Sequence, residues 1–293
     1  MEANLRCYTY EEHTFSKGLL DASVDATYVI NLRNNGRYES ILKEVTDYKP
    51  TSLVYIVLND GFKKCKKVLP QAKTGEEQKS TYDLVDANLQ IYKHANQKKY
   101  RNILVLEDDC FFNPDIRDKK ILNDLNIFLI GHSSTSFIYR LGCLPWLMLP
   151  FLTHVPYGIY AGTHAYVISQ KARSTTIHMD EATIRDIDGF TNFCLLQYTY
   201  YKPLAYQLFP ETENQTSWGL PPLFMKFVLS MIKLLNLDTQ AEPGYSIAYI
   251  LAKITYSLLI ILGLFLVYKG AKLIPLLLNM MKPLHKSRGR KLK

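Results

Sequence analysis

Residues 103–106, Ile-Leu-Val-Leu, form an uninterrupted apolar run, and the chain passes from them directly into Glu107, Asp108 and Asp109 before returning to "CFF" at 110–112. An apolar run this short, bounded by polar residues, reads as a strand buried on both faces. Such a strand needs a sheet with a layer packed on each side, so the segment points to an α/β fold. Three acids at its end repel one another and are costly to bury. They call for a compensating partner.

Neighbouring segments fit the same architecture. "ATYVINL" (26–32) is β-branched and aromatic, stops at the turn "RNNGR", and is followed by Tyr38, Ile41, Leu42 and Val45 at helical spacing. "SLVYIVL" (52–58) ends at "NDG". The stretch "STYDLVDANLQIYKHANQ" (80–97) carries Ser80 and Asp83 in a capping-box pattern and an apolar stripe, which predicts a helix. Further strands are expected at "NIFLIG" (126–131), "THAYVIS" (163–169) and "PLAYQLF" (203–209). Strands alternating with helices imply a mostly parallel sheet flanked by helices.

The chain has 293 residues, 47% of them hydrophobic and 21% charged, enough for one large domain with an appendage. A formal charge of +8 suggests a polyanion partner, but its distribution argues otherwise. Eight of the 35 basic residues lie in 269–293 with no acid among them, leaving 27 bases against 27 acids in the rest. A neutral body excludes nucleic acid as the expected partner. The run "KKCKK" (63–67) reads as a solvated face. Five cysteines, Cys7, Cys65, Cys110, Cys143 and Cys194, have no CxxC spacing, so reduced structural thiols are expected. His132, His154, His164 and His178 have no ligand spacing. The N-terminus lacks a continuous apolar core and does not read as a secretory signal, so the main body is expected to start in the cytosol.

Residues 247–268 form a 22-residue apolar stretch broken only by Lys253, Thr255 and Ser257, long enough for a single-pass transmembrane helix. Upstream, 221–237 carries Lys226 and Lys233 and suits a helix lying on a surface. The division that follows is an N-terminal extension (1–25), an α/β domain (26–218), an amphipathic connector (219–246), a membrane helix (247–268) and a basic tail (269–293). Tail charge and the missing signal favour opposite orientations, leaving the side of the body open. Occupancy of the sequon Asn214-Gln215-Thr216 would report it.

If extended geometry continues past Leu106, Glu107 and Asp109 point to one side and Asp108 to the other. Two hard carboxylates suit Mn²⁺ or Mg²⁺ with positions left for phosphate oxygens. The alternative is that the acids cap or flank the turn before "NPD".

Taken in order, "YVINL", "ILVLEDD", "GTHAYVIS", "DIDGF" and "AYQ…QTSW" resemble glycosyltransferase family 25, over roughly 26–218. The resemblance implies a GT-A-like fold, a nucleotide-sugar donor, Mn²⁺ or Mg²⁺ at Glu107 and Asp109, and transfer with inversion to a glycan, lipid-linked or protein acceptor. On it, Asn31, Arg37 and Asp108 bind the donor. Asp188 is the base, with Asp186 in reserve. Asp188 alone reads equally well as a helix N-cap, and Arg37 as a surface residue. Gln207 and Ser217 match late family positions. Two departures stand out: the family's Ser-His pair before the acidic strand is absent, and Arg33 replaces the usual acid after "VINL". They leave a catalytically inactive GT-A-like interaction or structural module as the alternative. A phosphate-handling enzyme lacks its Gly-rich loop. The apolar insertion "LGCLPWLMLPFLTHVPYG" (141–158) reads as a loop that either meets lipid or a lipid-linked acceptor or fills the core.

Overall fold

In β2 (Ala26–Leu32) and β4 (Asn102–Glu107) successive side chains alternate between two cores. Val29, Leu104 and Leu106 enter one; Tyr28, Ile30, Ile103 and Val105 enter the other. A computed structural model describes residues 2–72, 77–193, 195–209 and 222–280. It is a mixed α/β fold.

An eight-stranded sheet has the order β1-β3-β2-β4-β8-β6-β9-β7, where β1 is Tyr8–Thr14, β3 Leu53–Asn59, β6 Phe137–Leu147, β7 His154–Pro156, β8 Ile159–Ser169 and β9 Leu196–Tyr200. The pairs β2/β3, β2/β4 and β6/β9 are parallel; β1/β3, β4/β8, β6/β8 and β7/β9 are antiparallel. The sheet is therefore mixed. A two-stranded ribbon joins β5 (Cys110–Phe112) to β10 (Ala205–Gln207). One core lies under α1 (Tyr38–Tyr48) and α3 (Lys119–His132); the other lies under α2 (Ser80–Gln97), α4 (Gln170–Ile177) and α5 (Ile187–Phe193). Burying each such apolar side chain contributes about 1.5–3 kcal/mol, which is why the sheet needs both layers.

A third core gathers the far half of β6, β10, α6 (Pro222–Leu234) and the start of α7 (Gly244–Met280). Tyr245, Tyr249 and Ala252 of α7 are buried there, whereas from Ile254 to Tyr268 its large apolar side chains stand exposed. The part of α7 from Gly244 to Lys272 is long and apolar enough to cross a bilayer.

Several expectations are corrected. Residues 126–131 are helical, not a strand: Asp118 caps α3 by accepting from the N–H of Lys120 and Ile121, and Ile121, Leu125 and Leu129 bury one face at four-residue spacing. The apolar insertion is more strand than loop, because 141–147 belong to β6 and 154–156 to β7. The N-terminal extension is part of the sheet, with β1 as its edge.

Helix α2 starts after Lys79, and Asp83 turns inward instead of closing a capping box. Its carboxylate meets Lys67 Nζ at 2.6 Å. The reading of "KKCKK" as a solvated face holds for Lys63, Lys64 and Lys66 but fails for Lys67, whose side chain is fully enclosed. Lys67 also donates to Tyr8 Oη (2.7 Å) and Asn59 Oδ1 (2.6 Å), and lies 3.7 Å from Asp86. Beside this network Cys7 and Cys65 form a disulfide, correcting the expectation of reduced thiols for these two; Cys110 and Cys143 are free and buried. Cys194, Ser217 and the sequon lie outside the described residues.

Removing one partner of a buried ion pair leaves the other charge uncompensated. Lys67→Ala is expected to cost about 3–5 kcal/mol, and Lys66→Ala, on the exposed side of the run, less than about 0.5 kcal/mol. Thermal unfolding of the solubilised variants checks this, and equal melting temperatures for the two would refute the buried network.

Candidate functional site

Strands β2 and β4 run parallel in the register Ile30↔Glu107, so the turn after β2 and the acids after β4 emerge side by side. Asn34 (φ 64°) and Gly36 (φ 78°) take left-handed conformations that fold the turn back. The donors of that turn converge on Asp108, which is only 8% exposed. Its Oδ2 accepts from Asn31 Nδ2 (3.1 Å), the Leu32 N–H (3.1 Å) and Asn35 Nδ2 (2.6 Å). Its Oδ1 accepts from Arg37 Nη1 (3.1 Å), and the same nitrogen reaches Asp109 Oδ2 at 2.7 Å. Burial pushes the Asp108 carboxyl up, while Asn35 and Arg37 pull it back toward the ionised form.

Extended geometry does not persist past Glu107. A turn intervenes before β5, so Asp108 and Asp109 share one arginine instead of facing opposite sides. Asn31, Arg37 and Asp108, assigned together to the donor, are brought together, but as partners of one another. Arg33, in place of the family's acid, is tied to Asp60 at 2.6 Å and to Thr9 at 3.0 Å.

Asp109 is held on its second oxygen by Gln207 Nε2 at 2.9 Å. Gln207 is fixed in turn by Tyr245 of α7, whose hydroxyl accepts from the Gln207 N–H (3.0 Å) and donates to its carbonyl (2.9 Å). The Glu107 side chain forms no hydrogen bond among the described residues. Burial drives its carboxyl well above the ordinary range, and the nearby charges of Asp109, Asp188 and Asp108 push the same way, against Arg37. Glu107 and Asp188, far apart in sequence, are therefore close enough to feel each other's charge.

Asp188 sits in the first turn of α5, with Oδ2 accepting from the Gly162 N–H at 2.9 Å and Oδ1 buried without a partner. Burial raises its carboxyl, as does Asp186, and the Gly162 N–H opposes them. Gly162 (φ +86°) lies where the β6/β8 register slips between Gly142 and Leu144, and a Cβ there would stand 3.0 Å from His164 Nδ1. The bulge aims its N–H at the carboxylate. The helix cap belongs to Asp186, which accepts from the N–H groups of Asp188 (3.2 Å) and Gly189 (2.6 Å). Asp186 is thus engaged and exposed.

One residue escaped the sequence reading. Arg140, fully buried in β6, donates to Gln197 Oε1 (2.5 Å) and Thr191 Oγ1 (2.7 Å) and so pins α5 from behind; an arginine inside "FIYRLG" was the available signal. His164 is fully buried with both ring nitrogens unpartnered, and burial pushes its pKa down to about 4, keeping it neutral. It is structural.

Among the described residues no group of three or more His, Cys, Asp or Glu is arranged to hold a metal ion. Glu107 and Asp109 amount to a two-carboxylate site at most, with the remaining positions left to a ligand's oxygens. The surplus of negative charge around Glu107, countered by Arg37, fits a cation at that point. No family model matches the chain, and a search of curated proteins finds no match, so the likeness to glycosyltransferase family 25 rests on the quoted motifs and their order.

Proposed function

We propose that the protein is a membrane-associated, metal-assisted glycosyltransferase of GT-A-like fold, moving a sugar from a nucleotide donor to an acceptor hydroxyl with inversion. What supports this reading is that Glu107 and Asp109 follow β4 beside the Arg37 turn, with Asp188, in the first turn of α5, near enough to Glu107 to help raise its carboxyl. In this reaction the acceptor oxygen bonds to the anomeric carbon, the carbon–oxygen bond to the diphosphate breaks with its electron pair, and the acceptor proton goes to a base. Asp188 suits that role: one carboxylate oxygen is held by Gly162 and the other is unpartnered. A Mn²⁺ or Mg²⁺ ion between Glu107 and Asp109 would supply Lewis-acid neutralisation of the leaving diphosphate. Arg37, with 38% of its side chain exposed, is available to bind donor oxygens as well as Asp108 and Asp109.

One observation favours the silent alternative. Both oxygens of Asp109 are already satisfied, by Arg37 and Gln207, as in a site that has closed on itself. A panel of UDP-, GDP- and CMP-sugars, each with and without Mn²⁺, separates the two. The transferase shows metal-dependent donor binding or hydrolysis that Glu107→Ala/Asp109→Ala abolishes, and Asp188→Asn slows transfer by about 10²–10⁴-fold while donor binding persists. A folded protein that answers no donor is the silent module.

Orientation follows from separate chemistry. Structural disulfides belong to oxidising compartments, and Cys7–Cys65 supports a body on that side of the membrane. The basic stretch after Lys269 then lies on the reducing side, as the positive-inside tendency requires. Protein denatured directly from cells into a maleimide reagent should leave Cys7 and Cys65 unmodified until reductant is added. Immediate modification of both would reverse the orientation.

A further inference from the structure

The segment Met148–Thr153 joins β6 to β7, and its tip is unusual. Phe151 is 98% exposed and adopts a left-handed backbone (φ 70°), a conformation costly for a bulky side chain. Leu152, beside it, is 45% exposed. A soluble surface gains nothing from holding a phenylalanine outward in this way.

A hydrogen-bonded path ties the tip to the membrane helix. Thr153 C=O accepts from the Tyr201 N–H at 2.9 Å, and Tyr201 C=O accepts from Lys253 Nζ at 2.8 Å. The body's hold on α7 ends near Lys253: Tyr245, Tyr249 and Ala252 are buried before it on one face, with Ile250 and Leu251 already exposed on the other, and Ile254, Leu258 and Leu262 are exposed after it. From Lys253 to Lys272 the helix rises roughly 28 Å at about 1.5 Å per residue, close to the hydrocarbon thickness of about 30 Å. With the span beginning near Lys253, the bonded path through Tyr201 and Thr153 brings the 148–153 tip to the end of α7 where the bilayer surface would lie.

We propose that Phe151 and Leu152 form an interfacial anchor, inserted at the headgroup–acyl boundary of the bilayer that α7 crosses. The inference rests on α7 as a membrane helix and not on the transferase reading. Aromatic and aliphatic side chains at that depth are removed from water without crossing the membrane. With the anchor, the body has two attachments instead of one, and its tilt is fixed. Because Tyr245 holds Gln207 and Gln207 holds Asp109, the acid cluster is kept at a set height, with Tyr245 about 12 Å above Lys253 along the helix axis.

The test uses the full chain in vesicles of phosphatidylcholine and phosphatidylserine. An environment-sensitive dye on Phe151→Cys should lose most of its emission to lipids brominated near the headgroup and little to lipids brominated near the bilayer centre. A dye on Leu262→Cys should show the reverse. Quenching at 262 without quenching at 151 overturns the anchor and leaves the membrane helix standing; quenching at neither overturns both. In the unsubstituted protein, a lipid carrying a photoactivatable carbene near its headgroup should label the peptide 148–153, and absence of that label while α7 is labelled also overturns the anchor.

Discussion

Asp108 receives four hydrogen bonds from a single turn, and the geometry of the site descends from that. An ionised carboxylate at 8% exposure costs several kcal/mol unless it is satisfied, and hydrogen bonds to a charge contribute about 1.5–3 kcal/mol each. The donors Asn31, Leu32 N–H, Asn35 and Arg37 fix the turn after β2 in one conformation. That conformation delivers Arg37 to Asp109 as well. Of the three acids, Asp108 is thus committed to structure and Asp109 is half-committed. Glu107 is left with repulsion from its acidic neighbours, which Arg37 opposes and protonation relieves.

The location of these acids follows from strand directions. Strand β4 has a parallel neighbour, β2, on one side and an antiparallel neighbour, β8, on the other. On the β2 side the turn after the strand reaches Asp108 and Asp109 through Asn35 and Arg37. On the β8 side the bulge at Gly162 holds Asp188 of α5. Arg140 holds α5 from beneath with bonds to Thr191 and Gln197, so the position of Asp188 is set by buried polar contacts and not by a flexible loop.

What the sequence made legible was local. The strands at 26–32, 53–59 and 102–107 and the helix at 80–97 follow from apolar runs and turn residues, and the acids announce themselves by ending a buried strand. What it hid depends on distant partners. Asp83 looks like a capping residue until Lys67 is seen to reach it, and Lys67 looks solvated until Tyr8, Asn59 and Asp83 surround it. Asp186 and Asp188 are chemically interchangeable in "DIDGF"; only the start of α5 makes one a cap and leaves the other to Gly162. Helix α3 was missed because the window 126–131 omits both its cap, Asp118, and the first residue of its buried stripe, Ile121.

The two ends of the sheet are secured by different means, and the difference bears on the site between them. At the β1 edge a disulfide and a buried lysine–carboxylate network tie chain segments distant in sequence, which restricts the unfolded chain as well as the folded one. At the other end β6 packs against α7, and the hold is apolar burial of Tyr245, Tyr249 and Ala252. Gln207 belongs to this second end through Tyr245, yet its side chain closes on Asp109, whose other oxygen is bound by Arg37 from the β2 turn. Asp109 is therefore one carboxylate on which contacts from α7, through Gln207, and from the β2 turn, through Arg37, meet. A shift of α7 relative to the sheet would be passed to it through Gln207.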